Sequence, residues 1–142
     1  MRSQGRPSWP VVIMAAVAAG LSACGNPTST DRGVVGSYVA MEWTIVSSTT
    51  THDLIAGGGH LDLALASDGT TTGEFFIPAG VSPEPQEQRV SMAGTWSQDG
   101  DIVTFSMPGD TYVRFVDWTV SGRQLTSQFV NGGFTLTTRL RR

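Results

Sequence analysis

Residues 61–70 read Leu-Asp-Leu-Ala-Leu-Ala-Ser-Asp-Gly-Thr. Leu61, Leu63 and Leu65 alternate with Asp62 and Ala64, the period-2 pattern of a strand with one buried face. Ser67-Asp68-Gly69 then supplies a tight hairpin turn, because Asp and Gly accept positive φ. A second run, 70–77, returns at once. A strand, a tight reversal and another strand define an antiparallel pair, and the rest of the chain after residue 33 repeats this grammar.

Outward from this hairpin, no helical periodicity is found. Upstream, residues 36–45 form a strand on which Val39, Met41, Trp43 and Ile45 share one face. A Ser/Thr-rich stretch and Gly57-Gly58-Gly59 separate it from strand 60–66. Downstream, residues 78–88 hold three prolines and two glutamates, a surface loop that cannot lie in a sheet interior. Further strands are expected at 89–97 (Val90, Met92 and Trp96 on one face), 102–107, 112–120, 123–130 and 134–140. The short connections after residue 97 carry Asp99-Gly100-Asp101, Pro108-Gly109-Asp110, Ser121-Gly122 and Asn131-Gly132-Gly133. The fold class is therefore all-β: eight antiparallel strands in up-and-down order. Closure into a barrel follows, since an open meander would leave two apolar edges unpaired.

The N-terminal quarter has a different character. Arg2 and Arg6 precede an eleven-residue apolar run, 11–21, followed by small residues, which is the layout of a secretory signal. The run is little more than half the roughly 20 residues a membrane-spanning helix needs. Leu21-Ser22-Ala23-Cys24 resembles the bacterial lipobox, in which signal peptidase II cuts before the cysteine and the cysteine is lipidated with diacylglycerol and palmitate. The resemblance implies a signal over 1–23 and a lipid anchor at Cys24, with attachment at a membrane in the cell envelope, on a periplasmic or extracellular face. More than one acyl chain makes such an anchor stable. Residues 24–35 then read as the lipidated cysteine and a flexible tether, and 36–142 as the barrel domain.

Composition narrows the function. The chain has 142 residues, and 119 of them remain from Cys24 onward, the size of one domain. Cys24 is the only cysteine, so no internal disulfide forms. Nine basic residues, all arginine, oppose twelve acids; with Arg2 and Arg6 in the signal, seven remain against twelve, a formal charge of −5. That balance argues against a nucleic-acid partner, which requires a basic surface.

Four motif groups cover most of the domain: 61–70; Gly94-Thr-Trp-Ser-Gln-Asp-Gly-Asp101 with Val103-Thr-Phe105; Trp118-Thr-Val-Ser-Gly122 with Leu125; and Leu136-Thr-Thr-Arg139. Together they resemble the bacterial lipocalin-like lipoproteins. The resemblance implies a calycin-type barrel with a ligand cavity. In such barrels a Gly-x-Trp on the first strand packs beneath an Arg of the last. Here Gly36-Ser37-Tyr38 stands in that place, so the resemblance implies a barrel-closing pair of Tyr38 and Arg139, with Tyr where the family has Trp.

Residues able to carry chemistry are few. His52 and His60 have only Asp53 and Asp62 near in sequence, too few ligands for a metal. Asp99-Gly100-Asp101 lacks the oxygen ligands of a calcium loop and reads as a turn. Glu42 and Glu74 fall on the faces opposite the apolar residues, hence outward. No nucleophile elbow or phosphate loop occurs. The expectation is a non-enzymatic protein with no catalytic residue, metal or cofactor.

The aromatics Trp43, Phe75, Trp96, Phe105, Trp118, Phe129 and Phe134 come from seven strands and are expected to share an interior. They form either the lining of a pocket for a small apolar ligand or a packed core. About twenty apolar inward residues suffice to fill a small barrel, which favours the filled or nearly filled form. The leading expectation is a lipid-anchored module that binds a small apolar ligand. The other is an envelope protein-interaction module, similar to small protease-inhibitor barrels, which would use loop 78–88 and tether 25–33 toward its protein partner.

Overall fold

The computed structural model describes residues 33–142; the signal, the lipobox with Cys24, and most of the tether lie outside the described residues. Ten strands make up one antiparallel sheet: β1 Gly36–Ser47, β2 Thr51–Asp53, β3 His60–Leu65, β4 Thr70–Ile77, β5 Gln88–Ser91, β6 Gly94–Asp99, β7 Ile102–Ser106, β8 Trp118–Ser121, β9 Gln124–Asn131 and β10 Phe134–Arg141. They occupy eight positions. β3 pairs with the first part of β1 and β2 with its last part, and β5 and β6 both pair with β4. The path then runs through β7, β8 and β9 to β10. Pairing of β10 with β1, from Val39↔Arg141 to Ser47↔Phe134, closes the sheet into a barrel.

The predicted face of the first strand is corrected. Tyr38, Trp43 and Ile45 point inward, whereas Val39 and Met41 lie outside at 52% and 58% exposure. The cause is a bulge. Ala40 pairs with Leu140 and Glu42 with Arg139, so Met41 is an extra residue on β1 and the inward phase passes from even to odd positions. The predicted strand 112–120 is also shortened. Only Trp118–Ser121 pairs, and Tyr112–Arg114 forms one 3₁₀ turn. Residues 112–116 (Tyr-Val-Arg-Phe-Val) do not alternate, so a strand there would place apolar side chains on both faces.

The two ends of the barrel differ. At one end β3–β4, β6–β7 and β8–β9 join through tight turns at 66–69, 100–101 and 122–123. This end is sealed. Val34 is buried and accepts a hydrogen bond at its carbonyl from the Tyr38 hydroxyl at 2.7 Å. The Trp96 indole donates to the Ala66 carbonyl at 3.0 Å. Packing of the domain thus starts at Val34, inside the stretch expected to be tether. The opposite end carries the long connections 48–59, 78–87 and 107–117.

Among the described residues the interior is mainly apolar and the outside mainly polar, with Val39, Met41, Val46, Phe115 and Val130 as exposed exceptions. Twenty buried hydrophobic residues form one cluster. Trp43 meets Phe75 edge to face at 5.1 Å, and Phe105 meets Trp118 the same way at 6.1 Å. Outward positions hold Glu42, Glu74, Arg139 and many threonines, the reverse of the lipid-facing surface of a membrane-spanning barrel.

Gly73 marks the tightest packing in the wall. Its φ is 143°, and a Cβ there would overlap the carbonyl oxygen of Asp62 on β3. Strain of this kind costs about 1–3 kcal/mol before any overlap is relieved. Gly73→Ala is therefore expected to lower unfolding free energy by about 2 kcal/mol or more in urea titrations, while Thr72→Ala, on the exposed face beside it, stays near wild type.

Candidate functional site

A pocket of about 200 Å³ opens at the end with the long connections. Its wall is apolar: Ile45 of β1, Phe75 and Ile77 of β4, Phe129 of β9, and Phe134 and Leu136 of β10. Alternation on these strands sends them inward, and their position at the strand ends places them at the mouth rather than mid-barrel. Tyr112 completes the wall from the 3₁₀ turn, with its ring 6.2 Å from Phe75 and 6.1 Å from Phe129. The rim is polar, formed by Ser82, Glu84, Gln88, Asp110 and Thr111.

Three of the seven expected lining aromatics, Phe75, Phe129 and Phe134, reach this pocket. Trp43 packs behind Phe75, Trp96 lies toward the sealed end, and Phe105 and Trp118 pack on each other. The barrel is thus filled along most of its length and hollow at one end. Tyr112 was not expected in the lining. Its signal in the sequence is the non-alternating run 112–116, which is incompatible with the strand assigned there.

Polar groups in this region are deeply buried. The Tyr112 hydroxyl and the Thr138 hydroxyl are hydrogen-bonded at 2.6 Å. Burial raises the Tyr112 phenol far above its ordinary value, while the Thr138 hydroxyl and the neighbouring Trp43 indole pull the other way. Tyr112 therefore acts as a neutral hydrogen-bonding group. Trp43 and Ser127 flank Thr138 on the adjacent strands. The Trp43 Nε1 and Ser127 Oγ make no hydrogen bond, nor does the buried Thr111 Oγ1 at the rim.

Tyr38 and Arg139 stand on opposite faces of the wall, which corrects the expected closing pair. Tyr38 is inside; Arg139 is outside, bound to Glu42 at 2.8 Å. The bulge at Met41 and the alternation of β10 set these directions. The cation at the sealed end is Arg142, whose Nη1 donates to the carbonyls of Gly33 at 2.8 Å and Val35 at 2.5 Å. Burial raises the Tyr38 phenol and the Arg142 charge partly offsets this.

Glu42 and Glu74 both lie on the outer face, as expected. Glu74 Oε1 accepts hydrogen bonds from Arg89 at 2.6 Å and His60 at 2.7 Å. Arg89 stacks over Phe76 with its guanidinium carbon 4.2 Å from the ring centre. His60 is thus a hydrogen-bond partner of Glu74 on the outer wall. Among the described residues, no group of three or more His, Cys, Asp or Glu side chains converges as a metal site. Asp99 and Ile102 bound a tight turn, as read from the sequence.

Comparison with protein-family models, with curated proteins and with solved structures finds no match to this chain.

Two outcomes follow. Tyr112→Phe strands the buried Thr138 hydroxyl and is expected to cost about 1–3 kcal/mol in thermal unfolding. The outer network sets a pH dependence. Hydrogen bonds from Arg89 first, then His60, hold the Glu74 carboxyl below its ordinary 4.5. A depressed folded value means stability that is complete above the unfolded value and lost as pH falls through the folded one. The difference in urea midpoint between wild type and Glu74→Gln should therefore be present at pH 7 and vanish toward pH 3.

Proposed function

We propose that this chain is a lipid-anchored, non-enzymatic binding module of lipocalin-like type, displayed in the bacterial cell envelope, which takes one small and mainly apolar molecule. The carrying observation is the aromatic-walled pocket of about 200 Å³ at the open end of an otherwise filled barrel. Few convergent polar groups on an apolar wall are the usual composition of a small-molecule site. The lining offers no nucleophile paired with a base: the Ser82 hydroxyl donates to the Glu84 carbonyl at 3.3 Å, and His60 sits on the outer wall.

The sealed end supports the anchor part of the reading. The described chain enters at Gly33 beside Arg142, at the end opposite the pocket. An anchor at Cys24, nine residues earlier, would hold the sealed end toward the membrane and turn the mouth away from it. The proline-rich loop 78–87, the contact element of a protein-interaction reading, supplies Ser82, Pro83 and Glu84 to the pocket rim. Its placement favours the ligand reading over a protein partner.

Two measurements test this. In a bacterial host labelled with a palmitate analogue, the full chain is expected to carry label and sediment with membranes, and Cys24→Ser to lose both. The chain from residue 24 with Cys24→Ser is then titrated with small fluorescent lipophiles. Saturable binding at one site per chain is expected, weakened by Leu136→Trp, which fills the pocket; no saturable binding to any lipophile sinks the ligand reading.

A further inference from the structure

We propose that the pocket selects a small organic cation: a protonated amine carried on a single aromatic or similarly sized apolar ring. This rests on the ligand-binding reading above and specifies the ligand class.

Size comes first. A dry cavity of about 150 Å³ suffices for benzene, so about 200 Å³ admits one ring with a short arm and is too small to enclose a long acyl chain. The walls come second. Phe75, Tyr112, Phe129 and Phe134 surround the space, and the negative faces of aromatic rings attract a desolvated cation. Charge comes third. The lining contains two carboxylates, Glu84 and Asp110, and no Arg, Lys or His. Asp110 is held by Arg114 at 2.8 Å, whereas Glu84 makes no ion pair among the described residues.

The wider field has the same sign. The three long connections of the open end carry Asp53, Glu84, Glu87, Asp110 and Asp117 against Arg114 alone. Arg89 and His60, on the outer wall nearby, are tied to Glu74. Most of the excess negative charge of the domain therefore rings the mouth, where it concentrates cations and repels anions.

The test uses three probes with one ring and nearly one shape: 2-phenylethylammonium, 2-phenylethanol and phenylacetate. Each is titrated calorimetrically at pH 7 into the chain from residue 24 with Cys24→Ser, and each competes with a bound fluorescent lipophile. The ammonium is expected to bind at one per chain, at least about fivefold tighter than the alcohol, with phenylacetate weakest and the ammonium advantage shrinking as salt rises. Glu84→Gln should reduce that advantage and leave the alcohol unchanged. Equal or tighter binding of the alcohol or phenylacetate overturns the cation selectivity and leaves the apolar pocket standing. Failure of all three while a lipophile still binds overturns it too. Failure of every probe and lipophile overturns the pocket reading with it.

Discussion

Closure between the first and last strands is the constraint on which the rest of this structure depends. β1 and β10 pair along almost their full lengths, from Val39↔Arg141 to Ser47↔Phe134. Without that seam, the sheet would present two long edges of unpaired backbone. With it, eight positions enclose a narrow interior that side chains nearly fill. The seam also demands an adjustment. The extra residue at Met41 bends β1 and shifts its inward phase, so that Tyr38 plugs the sealed end while Trp43 and Ile45 face the upper interior. The inward residues of β1 and the outer Glu42–Arg139 pair take their directions from this irregularity.

Most of the fold was legible because alternation and turns were clean. Leu61, Leu63 and Leu65 go inward as their spacing demands, and Asp68-Gly69 turns the chain, with the Asp68 carboxylate accepting from the Thr70 amide at 2.9 Å. The bulge was not legible: a single unpaired residue leaves no mark in a pattern whose period is counted from one end. The pairing of Tyr38 with Arg139, implied by the family resemblance, fails because the wall separates the two residues. At the site, Phe75, Phe129 and Phe134 could be named from their strands. Tyr112 could not, because its place depends on a turn packed across the mouth and on the Thr138 hydroxyl, 26 residues away. Which aromatics face a void and which fill a core is decided by distance along the barrel axis, and alternation reports only inside or outside.

Taken together, the two ends divide the labour of the domain. The sealed end joins its strands by tight turns, and its Tyr38 hydroxyl, Trp96 indole and Arg142 guanidinium all have carbonyl partners. The open end has long connections, an acidic rim and a buried hydroxyl, Thr111, with no partner. Buried polar groups without partners are costly to a stable core, and they occur toward both ends of the barrel, Thr71 and Gln98 at one and Thr111 and Arg114 at the other.

The Arg142 contact with Gly33 and Val35 has a topological consequence as well. It holds residues 33 and 142, the two ends of the described barrel, side by side at the sealed end, so the barrel is nearly a closed loop of polypeptide. A short linker would join residue 142 to residue 33 across that contact, and the exposed Asn131-Gly132-Gly133 hairpin at the opposite end offers a place to open the chain anew. In such a permuted chain the present seam becomes an ordinary hairpin, and the β9–β10 ladder takes over as the junction of first and last strands. The native order of the strands is thus one of several that the same cylinder accepts.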